Sequence, residues 1–159
     1  MAQTITPCLW FNGQAEEATN FYLSVFPNSE VLNVTRYTEL GPGEPGSVVT
    51  ISFQLNGQEY LALNGGPEFK FNEAVSFIID CATQEEVDHY WEKLTADGDE
   101  PGPCGWLKDK FGVSWQVVPS ILDEYLRDED RERANRVMET MLKMSKLDIA
   151  ELQRAYEGR

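Results

Sequence analysis

The strongest constraint on the fold is a repeated β-hairpin. In the second copy, residues 104–119 form two β-rich runs around an Asp-Lys-Phe-Gly turn at residues 109–112, where the glycine permits the positive φ of a tight reversal. In the first copy, residues 47–55 and 58–64 flank Asn56-Gly57, a dipeptide typical of hairpin turns. Because a strand and a helix precede each hairpin, the sequence predicts two similar modules.

The first module is predicted over residues 3–64. It starts with an apolar run at residues 5–11, and apolar residues at helical spacing follow over residues 14–26. Residues 31–37 then form a further β-rich run. Together with the first hairpin, these elements predict a βαβββ module.

The second module is predicted over residues 73–119. Residues 74–81 form a β-rich run, and Thr83 with Glu86 has the spacing of a capping box at the start of a helix. The second hairpin completes what we interpret as another βαβββ module. The predicted fold class is α+β, with two modules that form curved sheets or half-barrels in a domain of residues 1–120.

Residues 121–159 are predicted to form a C-terminal helical extension. Ser120 with Asp123 is the predicted cap of its first helix, and Asp148 with Glu151 opens its third. The apolar stripes of these helices need a surface to cover, either within the same chain or on the partner subunit of a homodimer. Three of the four methionines lie here, which is compatible with an adaptable interface. Both arrangements stay open.

The composition excludes several classes of partner. A net charge of −14 disfavours nucleic acid and anionic membrane surfaces, because both bind clusters of Lys and Arg. No apolar run is long enough to span a membrane and no signal peptide is evident, so we expect a cytoplasmic protein. Cys8, Cys81 and Cys104 lie far apart without CxxC spacing and are expected to be reduced thiols.

Few residues offer catalytic chemistry. His89 is the single histidine, and its position in the second helix predicts that it faces solvent, away from any converging set of metal ligands. The phosphate-binding motifs GxxxxGK[ST] and GxGxxG do not occur, so no nucleotide cofactor is predicted. Cys104 is the thiol that could act as a nucleophile, and the alternative is a small buried hydrophobic residue.

Polar residues in apolar strands are more informative. Aligning the two hairpins pairs Tyr60 with Trp115 and Leu61 with Gln116. A buried Gln116 requires a hydrogen-bond partner, which is either a neighbour or a ligand. Glu59 faces the same way as Leu61 and either reaches the same cavity or lies at an exposed edge. For Trp10, Trp106 and Trp115, cavity lining and plain core packing are the two interpretations.

Four stretches carry a resemblance to a known family. They are residues 9–22, residues 26–29, residues 56–67 and residues 104–116. With them, the chain resembles the PhnB-like branch of the vicinal-oxygen-chelate superfamily, to which glyoxalase I, bleomycin-resistance proteins and extradiol dioxygenases belong, and we expect a bacterial protein. Some members of this branch carry the label of a demethylubiquinone methyltransferase, but nothing in the sequence resembles a methyl-donor site, and we expect that label not to apply.

The resemblance implies a homodimer with a pocket between paired half-barrels. Metal-dependent relatives place a Glu in the last strand of a module, which falls here on Leu61 and Gln116, and a ligand in the first strand. The first-strand positions fall on Thr6 or Pro7 and on Val75 or Ser76, and a histidine of the third strand falls on Thr50. None of these is a His or a carboxylate, so we expect no metal. The implied pocket residues are Trp10, Thr50, Ser76, Cys104, Trp106 and Gln116.

Three hypotheses follow for the function. The first is a homodimeric protein that binds a small molecule without a metal. The second is a metal-free enzyme that acts on a small electrophilic or quinone-like substrate through Cys104 or Glu59. The third is a protein-interaction module that presents its C-terminal helices.

Overall fold

A computed structural model describes residues 3–159 of the chain. The chain divides into two compact units, Met1–Phe71 and Asn72–Arg159. The first contains the first predicted module, and the second contains the second predicted module together with the C-terminal helices. Each unit has its own sheet, with four strands in the first and three in the second.

The first unit has the predicted βαβββ order. Its elements are β1 (Cys8–Phe11), α1 (Ala15–Val25), β2 (Glu30–Arg36), β3 (Val48–Leu55) and β4 (Gln58–Asn64). The strands lie in the order β1-β4-β3-β2, with β1 parallel to β4 and the other pairs antiparallel. The sheet is open, and β2 is an edge strand whose seven residues are all exposed.

One face of this sheet forms the core of the first unit. Tyr22 of α1 stacks on Phe53 at a ring-centroid distance of 6.4 Å, and Phe53 stacks on Tyr60 of the neighbouring strand at 5.6 Å. All three side chains are buried. Because side chains alternate along a strand, the intervening residues of β1, β3 and β4 lie on the opposite face, which is less buried.

The second unit contains one strand fewer than predicted. Its module consists of β5 (Ser76–Cys81), α2 (Gln84–Thr95), β6 (Trp106–Lys108) and β7 (Ser114–Pro119), and the strand order is β5-β7-β6. The expected strand between α2 and the hairpin is absent from residues 96–105. This connection contains Pro101 and Pro103, which lack the amide hydrogen that a sheet ladder needs, and it is rich in acidic residues and glycine.

The second hairpin is organised by a buried carboxylate. Asp109 is 2% exposed, and its Oδ1 accepts hydrogen bonds from the backbone amides of Phe111 and Val113. Its Oδ2 accepts a hydrogen bond from the indole of Trp115. Gly112 has φ +89°, which confirms the prediction that this glycine supplies the positive φ of the turn.

The helix caps agree with the predictions in two of three cases. The Thr83 side chain accepts a hydrogen bond from the amide of Glu86, and Asp148 accepts one from the amide of Glu151, as predicted. The predicted cap at Ser120 is wrong, because Ser120 is the first residue of α3 and its hydroxyl instead donates to Asp80 of β5. Asp130, which the sequence analysis did not identify, caps α4.

The three C-terminal helices pack within the second unit. They are α3 (Ser120–Leu126), α4 (Arg131–Met141) and α5 (Ile149–Glu157). Leu122, Val137, Leu147 and Leu152 form a buried cluster, and Val118 of β7 packs against it. The buried part of the apolar stripes therefore packs within the chain, whereas Met138 and Leu142 of the same stripes are exposed. No helix of residues 3–159 combines the length and the apolar character that crossing a bilayer requires.

Candidate functional site

One face of the second sheet carries polar and aromatic side chains, and it is the face turned away from the buried residues Trp115 and Val117. The register places Ser76 beside Ser114, and Gln116 between Ile78 and Trp106, so these side chains share one face. The Gln116 amide donates a hydrogen bond of 3.0 Å to the Ser76 hydroxyl. The structure therefore brings three predicted pocket residues, Ser76, Trp106 and Gln116, onto one surface, and Ser76 is the partner that Gln116 requires.

A cavity of about 490 Å³ lies beside the edge strand β6. It is lined by Glu73, Asp99, Glu100, Gly102, Pro103, Trp106, Leu107, Lys108 and Ser114. Trp106 is the predicted pocket residue in this lining. Ser76 and Gln116 share its sheet face but are not among the lining residues.

Ser114 is the buried polar residue among those that line the cavity. Ser114 is 1% exposed, and its Oγ has no hydrogen-bond partner within residues 3–159. A buried hydroxyl without a partner is unfavourable by about 1–3 kcal/mol, so it is rarely retained without a compensating contact. Ser114 shares its sheet face with Trp106 and Lys108, which also line the cavity.

The rim of the cavity carries an excess of negative charge. Lys108 forms an ion pair with Glu73, which raises the pKa of the lysine and lowers the pKa of the glutamate. Asp99 lies near enough to Lys108 to contribute to the raised pKa of the lysine. Within residues 3–159, neither Asp99 nor Glu100 forms an ion pair, and both are exposed. Three carboxylates and one ammonium group leave the cavity with two unbalanced negative charges.

The C-terminal extension holds the loop that forms one wall of the cavity. The amides of Cys104 and Gly105 donate to the carbonyl oxygens of Met144 and Ser145 at 2.9 and 2.8 Å. The Ser145 hydroxyl donates to the Gly102 carbonyl at 2.7 Å. The segment between α4 and α5 therefore fixes residues 102–105, two of which line the cavity.

Cys104 lies against the helices, outside the cavity lining. Its thiol is half-buried and donates to the carbonyl oxygen of Met141 at 3.5 Å. Of the other two thiols, Cys81 is fully buried and Cys8 is exposed. Burial together with Glu86 and Asp80 raises the pKa of Cys81 to about 12, so this thiol is uncharged at neutral pH.

Trp10 and Thr50, the two predicted pocket residues of the first unit, share the open face of the first sheet. Both are cross-strand partners of Leu63, which settles their facing. The Trp10 indole donates to the Gly66 carbonyl at 2.9 Å and meets Phe69 edge to face. A Cβ at Gly65 would lie 2.4 Å from the Trp10 ring, so the glycine permits this close packing.

The remaining sequence candidates have local explanations. Glu59 is exposed, and its carboxylate accepts a hydrogen bond of 3.0 Å from Ser52. Leu61 pairs with Cys8 in the parallel ladder and is half-buried. His89 is exposed on α2, as predicted.

The residues present do not fit the metal centre of the superfamily. Gln116 uses its amide on Ser76, and Leu61 offers no donor atom at all. Over the described residues 3–159, no three His, Cys, Asp or Glu side chains converge in a group that could hold a metal ion. A divalent transition metal prefers imidazole, thiolate or carboxylate donors, which these positions lack.

Comparison with known proteins identifies the family. The model of the family described as 3-demethylubiquinone-9 3-methyltransferase matches residues 3–118. A putative 3-demethylubiquinone-9 3-methyltransferase, the PhnB protein of Bacillus cereus, is 43% identical, with an alignment that covers 74% of this chain and 99% of that chain at a TM-score of 0.66. The chain belongs to the PhnB-like family of vicinal-oxygen-chelate proteins.

More distant structures share the PhnB-like fold. Protein PA1353 of Pseudomonas aeruginosa is 19% identical, with coverage of 74% of this chain and 98% of that chain and a TM-score of 0.60. The fosfomycin resistance protein FosX of Listeria monocytogenes, solved with Mn(II) and sulfate, is 20% identical, with coverage of 80% and 99% and a TM-score of 0.55. A comparison with curated proteins gave no match. The family match ends at residue 118, so α3–α5 of this PhnB-like protein lie outside it.

Sequence reasoning missed most of the cavity lining. Asp99 and Glu100 lie in a connection without periodicity, and Glu73 precedes β5, so no pattern marked them. Ser114 did carry a signal, because it is a small polar residue next to Trp115 and at the same facing as Gln116. Because side chains alternate along β7, Ser114 lies on the same face as Gln116, which was a predicted pocket residue.

Proposed function

We propose that this PhnB-like protein binds a small organic molecule, without a metal, in the cavity over the second sheet. The observation that carries the proposal is the Ser114 hydroxyl, which is buried, unpartnered and part of the cavity lining. The cavity volume of about 490 Å³ lies within the range of about 300–1,000 Å³ that is typical of ligand sites.

The lining supports binding of a molecule with an apolar body and a few polar groups. Trp106 and Pro103 supply apolar walls, and a planar aromatic wall gives a large contact area with little loss of side-chain entropy. Ser114 supplies one hydrogen bond that fixes the orientation of the ligand. The thiol of Cys104 lies outside this lining, which favours binding over thiol catalysis.

We extend the proposal to the location, the oligomeric state and the domain organisation of the protein. We propose a cytoplasmic homodimer in which residues 1–120 form the domain of the family and residues 121–159 form a helical extension. The exposed apolar residues of edge strand β2, Val31 (41%), Leu32 (47%) and Val34 (39%), support an intersubunit contact. Light scattering during size-exclusion chromatography should give twice the chain mass of 18.1 kDa. A monomeric mass would reject the dimer.

The binding proposal can be tested with a fragment library of mixed charge. Binding is followed by two-dimensional ¹H–¹⁵N NMR of the full chain, with the Trp106 indole signal assigned from a Trp106→Phe variant. We expect several fragments to shift the Trp106 indole and the Ser114 amide together. A library in which no fragment shifts either signal would contradict the proposed function.

The metal-free part of the proposal needs a separate measurement. Thermal unfolding is followed with Mn²⁺, Zn²⁺ and Ni²⁺, each added to protein stripped with a chelator. We expect no saturable rise of the melting temperature with any of them, because residues 3–159 contain no suitable donor set. A saturable, stoichiometric rise of the melting temperature with one of these ions would reject the proposal that the protein binds its ligand without a metal.

A further inference from the structure

We propose that the ligand of this cavity is a small organic cation, an ammonium compound with an aromatic or branched apolar body. This inference rests on the proposed function, because it assigns a charge class to the occupant of the same cavity. Three features of the lining carry it, namely the excess of carboxylates, the indole of Trp106 and the unpartnered hydroxyl of Ser114.

The charge of the cavity selects the sign of the ligand. Lys108 is engaged by Glu73, so the ammonium group that could have attracted an anion is already neutralised by a neighbour. Asp99 and Glu100 have no ion-pair partner within residues 3–159 and face the same space. Two unbalanced carboxylates at the mouth of a concave site attract cations and repel anions, and the overall charge of −14 adds to that field.

The aromatic wall favours the same class. An indole face attracts cations more strongly than the rings of Phe or Tyr do, and the attraction increases when the cation is partly removed from water. Trp106 is half-buried, and Pro103 adds to the apolar surface beside it. The ammonium group of such a ligand would lie near the rim carboxylates, which balance its charge. The apolar body of the ligand would pack on the apolar walls and leave water.

The hydroxyl of Ser114 indicates that the site is built for an occupant. A cluster of exposed carboxylates alone is a common surface feature. Within residues 3–159 two buried hydroxyls lack a hydrogen-bond partner, those of Thr19 and Ser114, and Ser114 is the one that lines this cavity. Because a hydroxyl both donates and accepts, Ser114 can bind an N–H of the cation or an oxygen elsewhere on the ligand. The cavity therefore offers carboxylates for the charge of such a molecule, the Trp106 indole for its apolar body and the Ser114 hydroxyl for one hydrogen bond.

The test uses three compounds of similar size and different charge: 2-phenylethylammonium, 2-phenylethanol and phenylacetate. Each is titrated into the full chain, and the dissociation constant is taken from the shift of the Trp106 indole signal. We expect the ammonium compound to bind about tenfold more tightly than the alcohol or better, and phenylacetate to bind most weakly. Added NaCl should weaken the ammonium compound and leave the alcohol unchanged.

Variants of the rim should change affinity in opposite directions. The double change Asp99→Asn with Glu100→Gln should weaken the ammonium compound about tenfold while the alcohol keeps its affinity. Lys108→Gln should strengthen the ammonium compound, because it leaves Glu73 uncompensated. Glu16→Gln is a matched control, since it removes an exposed carboxylate from α1 in the first unit.

The two proposals can fail separately. If the mixed-charge library gives cavity binders but the ammonium compound has no advantage over the alcohol or phenylacetate, the charge inference is overturned and the proposed function stands. If no library member shifts the Trp106 and Ser114 signals, the proposed function fails, and this inference fails with it.

Discussion

The indole Nε1–H of Trp115 donates a hydrogen bond of 2.9 Å to the carboxylate of Asp109, and both residues are 2% exposed. This contact joins the turn of the second hairpin to the core side of β7. Because the same carboxylate also accepts two backbone amides of the turn, one side chain determines the path from β6 to β7. The hairpin in turn places Lys108 and Ser114, which pair across it, in the cavity lining.

Asp109→Ala should destabilise the protein by about 2–4 kcal/mol, because it leaves two backbone amides and one indole N–H without a buried acceptor. Urea unfolding followed by circular dichroism measures the loss as a lower midpoint at unchanged slope. Asp99→Ala, at an exposed aspartate of the same unit, is the control and should change stability by less than about 0.5 kcal/mol. Equal effects of the two changes would refute this role of Asp109.

Ser114→Ala should stabilise the ligand-free protein by about 1 kcal/mol, since it removes a buried hydroxyl that has no partner and leaves only a very small space. Thermal unfolding in the absence of any added compound is the measurement. Ser52→Ala is the control. Because the Ser52 hydroxyl donates a hydrogen bond to Glu59, its removal should not stabilise the protein. A loss of stability in Ser114→Ala would show that the hydroxyl has a partner in solution.

Gln84→Ala should destabilise the second unit by about 1–3 kcal/mol. The Gln84 side chain accepts a hydrogen bond from the amide of Ile149 at 2.8 Å and donates one to the carbonyl of Leu147 at 3.2 Å, which ties α2 to the start of α5. Hydrogen exchange should show faster exchange of the Ile149 amide. Gln58→Ala, at an exposed glutamine whose side-chain amide donates to the adjacent carbonyl of Glu59, should leave stability and exchange unchanged.

The three thiols should react with a disulfide reagent at very different rates. With a pKa of about 12, Cys81 is almost entirely protonated at about pH 8, whereas the thiolate is the reactive form. A raised pKa means less thiolate at any given pH, and Cys81 is also buried, so it should be modified only after the protein unfolds. Partial burial raises the pKa of Cys8 as well, but Cys8 is exposed to the reagent and should react before Cys81. Mass spectrometry of Cys8→Ser and Cys104→Ser variants assigns the sites. Rapid modification of Cys81 in the folded protein would contradict its burial.

Local sequence patterns were sufficient for most of the secondary structure. Asn56-Gly57 and the Gly112 turn predicted both hairpins because positive φ is a property of one or two residues. Thr83 and Asp148 predicted helix starts because a cap contacts an amide two or three residues away. The prediction at Ser120 was wrong because its hydroxyl found Asp80, 40 residues earlier in the chain, and no local pattern contains that contact.

The sequence by itself therefore determined the α+β class, the first βαβββ module and the side-chain types that stand at Leu61 and Gln116. It did so because turn geometry, hydrophobic period and side-chain chemistry are carried by residues close together in the chain. Tertiary structure alone decided that the second sheet has three strands and that Cys104 packs on the extension. It also decided that Glu73, Asp99, Lys108 and Ser114 share one cavity, since their association depends on the register of β6 and β7 and on a loop held by residues 144 and 145.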